Sequence, residues 1–245
     1  MGICVAVALD VPQQTLSLPT KRDFGNSAIA GSSWLLHIHC HAHYQTAFLG
    51  EHMKTEKVEK LVVAVTGASG VAYAYRLLEI LHEKSIPVEL VVTKGGEQTL
   101  RYELGLRPSD LDKFAAQRLD PYDTAQDAAS GSAKRRGMVI VPCTMNKIAL
   151  IAAGVSNDAV LRIADVMLKE GRPLVVVPRE TPLNENHLRN MLRLRRMGVR
   201  IVAAMPGFYH RPENLSGIID FVVARILDQL KISHALLPAW KKPPE

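Results

Sequence analysis

Arg179 and Glu180 carry the clearest chemical signal in this chain. They follow the apolar run Leu174–Val177, which reads as a buried parallel strand. A charged pair at the carboxyl end of such a strand stands where open α/β sheets bind their ligands, and a loop salt bridge is the alternative. Further cations join it. Arg162 and Lys169 are spaced i, i+7 on one predicted helix, so they share a face, while Tyr209, Arg211 and Arg225 follow the last predicted strand. One by one, Arg162, Lys169 and Arg225 also read as solvated helix charges. As a set beside Arg179 they can bind a phosphate or diphosphate through charge-assisted hydrogen bonds.

Polar, turn-forming groups end the other strands. Gly67-Ala68-Ser69-Gly70 ends the first, Thr93 the second, and Thr144 and Asn146 the third. Small residues let backbone N–H groups approach a ligand closely, and the next helix start favours an anion. The glycine spacing is not GxGxxG, so a nicotinamide dinucleotide is not specifically implied. Four such strand ends on one sheet edge describe a nucleotide crevice.

The elements that must position these residues are regular from Lys60 onward. Strands are predicted at Leu61–Val65, Val88–Thr93, Met138–Val141, Leu174–Val177 and Ile201–Ala203. Helices are predicted at Val71–Lys84, Gly95–Leu104, Lys147–Ala153, Asp158–Glu170, Asn184–Met197 and Leu215–Leu230. Leu106–Arg136 reads as irregular, with a short helix near Ser109–Ala116. Alternating strands and helices predict an α/β fold, a doubly wound parallel sheet in three layers.

A chain of 245 residues, 47% hydrophobic and 22% charged, fits one large α/β domain with a full core. No apolar run reaches the roughly 18 residues that span a bilayer. The net charge is +6, with −1 on residues 1–52 and +7 on the remainder. These cations are scattered and aromatics are only 5%, which favours an anionic small ligand over nucleic acid. Cys4, Cys40 and Cys143 show no CxxC spacing, so a reducing cytoplasm is expected. Residues 1–52 lack helical periodicity and read as a poorly ordered extension or a start assigned too far upstream. The folded domain is expected over residues 53–245. His37, His39, His41 and His43 alternate as on one strand face, but no carboxylate cluster accompanies them. Adventitious metal binding is the expectation there.

Long ordered blocks then carry a family resemblance. They include Thr66-Gly-Ala-Ser-Gly70, Pro142-Cys-Thr-Met-Asn146, Ala164-Asp-Val-Met-Leu-Lys-Glu170, Arg172 through Leu183, and Ala204-Met-Pro-Gly-Phe-Tyr-His-Arg-Pro212. From about Lys60 to Trp240 the chain resembles the flavin prenyltransferases, the UbiX/Pad family once called aromatic acid decarboxylase subunits. The resemblance implies a flavodoxin-like, Rossmann-like fold assembled as a homododecamer. It implies transfer of a dimethylallyl group from dimethylallyl phosphate to N5 and C6 of reduced FMN, without a metal. The prenylated FMN then serves a UbiD-type decarboxylase.

Roles carry over by position. Gly67, Ala68, Ser69, Thr93, Thr144, Met145, Asn146, Lys147 and Arg179 are expected to hold FMN. Arg162, Lys169, Tyr209 and Arg225 are expected to hold the substrate phosphate, with Arg162 and Arg179 contributing across subunits. The catalytic set is Ser69, Glu103, Glu180 and Trp240. The resemblance implies that Glu180 protonates the leaving phosphate, Ser69 and Glu103 handle the flavin proton, and Trp240 sets its π face against an allylic cation, though the residues alone favour Trp240 as a hydrophobic tail anchor. Two departures stand out: Lys147 occupies a position where the family has Thr or Ser, and Ala133 one where it has an aromatic. The alternatives are an FMN-binding carrier or accessory subunit of a decarboxylase, and a cysteine decarboxylase-like flavoprotein. The latter needs a His just after the first strand, where this chain has Gly67-Ala68-Ser69-Gly70.

Overall fold

A computed structural model describes residues 59–237. The expectations for residues 1–52, the histidine row and Trp240 lie outside the described residues. The order of elements is β1 (Lys60–Val65), α1 (Val71–Glu83), β2 (Val88–Val92), α2 (Lys94–Leu104), β3 (Gln117–Leu119) and β4 (Arg135–Cys143). It continues with α3 (Met145–Ala153), α4 (Ala159–Lys169), β5 (Leu174–Pro178), α5 (Glu185–Arg196), β6 (Arg200–Ile201) and α6 (Leu215–Gln229). The six strands stand in the order β3-β2-β1-β4-β5-β6, and every neighbouring pair is parallel. Chain direction across the sheet reverses between β1 and β4, which is where doubly wound sheets open a crevice.

Alternation along the strands explains the layers. Leu61, Val63 and Val65 of β1 share a core with Leu77, Leu78 and Leu81 of α1 and Val223, Ile226 and Leu227 of α6. Val62 and Ala64 face the opposite core, with Ile148 of α3, Ile163 and Met167 of α4 and Leu194 of α5. Strands buried on both faces need apolar residues throughout, and β2 and β5 are buried at all five positions.

Three strands depart from the sequence expectation, β6 by being Arg200–Ile201 rather than Ile201–Ala203. β3 lies inside the stretch read as irregular; two of its three residues are exposed, so it carries no apolar run. β4 begins at Arg135 rather than Met138, because a charge is buried there. The Arg135 Nε and Nη2 donate to both oxygens of Glu89 on β2, at 2.6 and 2.9 Å, and Nη2 also meets Asp127 at 2.6 Å. Lys60 adds a bond to Glu89 at 2.9 Å. Glu89 is 1% exposed and Arg135 7%. Burial works against the Arg135 cation, but its hydrogen bonds to the Glu89 and Asp127 carboxylates, with their charges, outweigh it and hold its pKa above the ordinary arginine value. This network ties β1, β2 and β4 together at their amino ends.

Candidate active site

The carboxyl ends of β1 and β4 are latched by one buried hydroxyl. Thr66 Oγ1 donates to the Pro142 carbonyl at 2.7 Å and accepts from Thr144 N–H at 3.0 Å. The latch fixes the start of α3 beside the loop that follows β1. Thr144 then caps α3 by accepting from Lys147 N–H at 3.2 Å, and Thr93 caps α2 by accepting from Gly96 N–H at 3.1 Å. Asp158 caps α4, accepting from Leu161 N–H at 2.9 Å. Three helix starts therefore converge on the crevice.

A cavity of about 290 Å³ lies between them, lined by Thr66, Gly67, Thr93, Lys94, Gly95, Thr144, Lys147 and Asp158, together with Pro121 and Tyr122. A Cβ on Gly67 would stand 3.0 Å from the Gly95 Cα, so glycine at this place lets the β1 loop and the α2 start pass closely. Hydroxyls, helix starts and two lysines give the cavity the donors that a phosphorylated flavin requires, so the residues present fit FMN. Ala68 and Met145 are buried, so these positions offer the site backbone rather than side chains. Gly67, Ser69 and Asn146 are exposed. Lys147 is paired with Asp158, and both are largely covered, at 15% and 21% exposure.

The start of α1 is differently arranged. Gly70 adopts a left-handed conformation, φ 104°, as its N-cap, and its own residue type offers no side-chain acceptor. The carboxylate of Glu103 on α2 supplies one instead, accepting from Gly70 N–H at 2.9 Å and Val71 N–H at 3.0 Å. The anion-binding capacity of that helix start is thus engaged by the protein itself, and Glu103 is held one residue from Ser69.

On the far side of the crevice, Arg179 follows β5 and its Nε donates to the Ser69 carbonyl at 3.2 Å. This bond brings two of the expected site segments together across 110 residues of sequence. Tyr73 lies near the same guanidinium; burial raises its pKa and the Arg179 charge opposes the rise. Arg179, Glu180, Thr181 and Met205 border a second cavity of about 390 Å³. The Glu180 carboxylate is exposed and accepts from Thr181 N–H at 3.1 Å.

The expected phosphate-binding residues fall into separate places. Tyr209 packs edge-on against Phe221 at 5.7 Å, and the Arg225 guanidinium stands 5.7 Å from the same ring. His210 stacks on the Phe221 ring at 5.4 Å, completing an aromatic support that sequence reasoning missed. Arg225 also pairs with Asp228 at 3.1 Å, and Arg162 with Asp165 at 3.1 Å. Lys169 closes α4 at the amino edge of the sheet and meets Glu170 at 2.9 Å. That bond holds the Glu170 carboxyl below its usual range. β5, five residues long, separates Lys169 from Arg179 and spans about 17 Å. One chain therefore does not gather Lys169 with Arg179 and Glu180. The Ser130–Ala133 loop lies at the same amino edge, where Arg172 donates to the carbonyls of Gly131 at 2.9 Å and Ala133 at 2.6 Å.

Thr66, Lys94, Gly95, Pro121, Tyr122 and Asp158 line the crevice without having been among the expected site residues. Thr66 and Gly95 adjoin residues that were, whereas Tyr122 sits in the segment read as irregular. No group of three or more His, Cys, Asp or Glu side chains among the described residues is placed to hold a metal ion.

Comparison with known proteins agrees with this geometry. The Flavoprotein family model matches residues 49–234. Flavin prenyltransferase UbiX of Halalkalibacterium halodurans is 48% identical over 190 residues, covering 73% of this chain and 91% of that protein. The chain belongs to the flavin prenyltransferase family. Among solved structures, AnUbiX in complex with FMN and dimethylallyl pyrophosphate is 38% identical. It superposes with a TM-score of 0.75 over 77% of this chain and all of that one. A dodecameric FMN-dependent UbiX-like decarboxylase from Escherichia coli O157:H7 is 42% identical, with a TM-score of 0.73, over 75% of this chain and all of that one. The flavodoxin-like fold expected for the family is the fold observed. No described helix is long and apolar enough to cross a membrane.

Proposed function

We propose that this protein is a flavin prenyltransferase that moves a dimethylallyl group from dimethylallyl phosphate, or its diphosphate, to reduced FMN. The observation that carries the reading is the Arg179–Ser69 bond. It joins the small-residue loop of a flavin crevice to a cation whose sequence neighbour, Glu180, is a carboxylic acid. A carrier would need the crevice but not this acid. Family membership, and a relative whose structure holds both FMN and the prenyl donor, support the same choice.

Reduced FMN supplies the nucleophilic N5 and C6 positions that accept the dimethylallyl carbons. The chain's own residues do the rest. Gly67 through Ser69, Thr93, Thr144 through Lys147, and Arg179 hold the flavin. Lys169, Tyr209, Arg225 and Arg162 surround the donor phosphate and offset the charge that grows as its C–O bond breaks. Glu180 passes a proton to the departing phosphate. Ser69 and Glu103 take up the proton released at the flavin, and Trp240 is assigned by family resemblance alone to stabilising the allylic cation.

Because Lys169 sits a full strand length from Arg179, the phosphate set closes only between copies of the chain. A homododecamer brings copies into contact in a way that can close the set, and one relative is dodecameric. The product, prenylated FMN, passes to a UbiD-type decarboxylase. A cytoplasmic setting fits three cysteines without paired spacing. The test is anaerobic incubation of the protein with reduced FMN and dimethylallyl phosphate, followed by mass spectrometry of the released flavin. A product heavier by one dimethylallyl unit is expected. Bound but unmodified FMN, with either donor, would leave the carrier reading in its place.

A further inference from the structure

Lys147 is the residue in the crevice that helix stability does not explain. It lies in the first turn of α3, where the positive end of the helix dipole disfavours a cation. It stands where the family resemblance places Thr or Ser. Its ammonium group is nevertheless kept inside the crevice, 15% exposed, by an ion pair with Asp158. Asp158 uses its other oxygen to cap α4, so the carboxylate is fixed and the lysine is the movable member, with four rotatable side-chain bonds. Both line the cavity that Thr66, Gly67, Thr93, Lys94 and Thr144 complete. The charge of Lys147 is also felt by the neighbouring Cys143 thiol, where it opposes the effect of burial.

The α1 start is engaged by Glu103, which leaves the α2, α3 and α4 starts, with Lys94 and Lys147, as the positive end of the crevice. Arg179 and Glu180, where the prenyl donor reacts, lie on its other side. We infer that Lys147 is the cation that meets the FMN phosphate, and that Asp158 is its partner only in the empty site. Binding exchanges the Asp158 carboxylate for the phosphate dianion as the acceptor of the Lys147 hydrogen bonds. This crevice therefore selects flavin mononucleotide over unphosphorylated flavin through a lysine rather than through a hydroxyl.

The inference rests on the flavin reading above, and its test separates the two. Apoprotein is titrated with oxidised FMN and, separately, with riboflavin, following flavin fluorescence. Wild type is expected to bind FMN far more tightly. Lys147→Thr is expected to weaken FMN by about tenfold or more, the loss of a hydrogen bond to a charged group, while riboflavin affinity stays put. Retained riboflavin binding also reports that the pocket is folded. Asp158→Asn keeps a capping side chain and releases Lys147, so FMN binding should tighten several-fold and riboflavin should not change. Equal weakening of both flavins in Lys147→Thr, or weaker FMN binding in Asp158→Asn, would overturn the inference. Wild type binding both flavins equally would overturn it too while leaving the flavin site intact, whereas wild type binding neither would remove the flavin reading itself.

Discussion

The two edges of the sheet treat charge in opposite ways. At the amino edge, Glu89 and Arg135 are buried and satisfy one another, with Lys60 and Asp127 completing the network. At the carboxyl edge, Glu180 is exposed, Arg179 spends a bond on a backbone carbonyl, and Lys147 is tied to a capping carboxylate. Charges buried and mutually satisfied hold strands in register but have no capacity for a ligand. Charges held by backbone or by a single exchangeable partner keep that capacity. The difference places the strand-joining network at one edge and the ligand crevice at the other, as doubly wound sheets do.

That division can be broken from either side. The largest effect is expected at Glu180. Glu180→Gln should slow prenyl transfer by about 10²–10⁴-fold, the usual contribution of a positioned acid, while FMN stays bound; single-turnover kinetics with unchanged flavin titration would show it. Normal turnover would remove Glu180 from its role. At the other edge, Glu89→Ala should cost about 3 kcal/mol of stability, because buried Arg135 keeps only its Asp127 bond. Chemical denaturation measures this, and a loss within about 0.5 kcal/mol, as for an ordinary surface change, would mean the network is not what joins the strands.

Intermediate effects test the connections. Thr66→Val removes the latch between β1 and β4 and leaves the Thr144 N–H and the Pro142 carbonyl without it, at about 1–3 kcal/mol. It should also weaken FMN, since the same latch sets the α3 start; lower stability with unchanged FMN affinity would show that the crevice tolerates the shift. The smallest effect is at Cys143. Burial pushes its thiol up to about 12 from an ordinary 9.0, so the thiol stays protonated at neutral pH. The sign is that of a raised folded pKa: its contribution to stability is full below pH 9 and is lost as pH climbs toward 12. The Cys143 peptide should remain unmodified by iodoacetamide in folded protein at pH 8. Rapid alkylation without unfolding would contradict the burial.

Much of this arrangement was legible in the sequence, for physical reasons that can be named. β1 and β5 were readable because strands buried on both faces are apolar runs, β2 because Leu90–Val92 is one despite Glu89, and α1 because Leu77, Leu78 and Leu81 mark its inner face. β3 was not, since two of its three residues face solvent. The first residues of β4 were missed because Arg135 looks like a surface charge until Glu89, 46 positions earlier, is beside it. The crevice shows the same limit. Ser69, Glu103, Arg179 and Lys147 were each singled out, but the bonds of Glu103 to the α1 start, Arg179 to Ser69, and Lys147 to Asp158 are made by folding. Local pattern names the residues; the partners depend on contacts that no local pattern contains.

The central claim is that the chemistry needs carboxyl-edge residues of one copy and amino-edge residues of another. Complementation tests it directly. Glu180→Gln and Lys169→Ala variants, each expected to be nearly inactive alone, are unfolded and refolded together so that mixed oligomers form, and prenylated FMN is then measured. If Lys169 serves a neighbour's Glu180, some sites in the mixture carry both native residues, and activity should return to about a quarter of wild type, the random share for one residue from each of two subunits. Mixed oligomers no more active than the two variants apart would contradict the shared site and place Lys169 outside the chemistry of its neighbours.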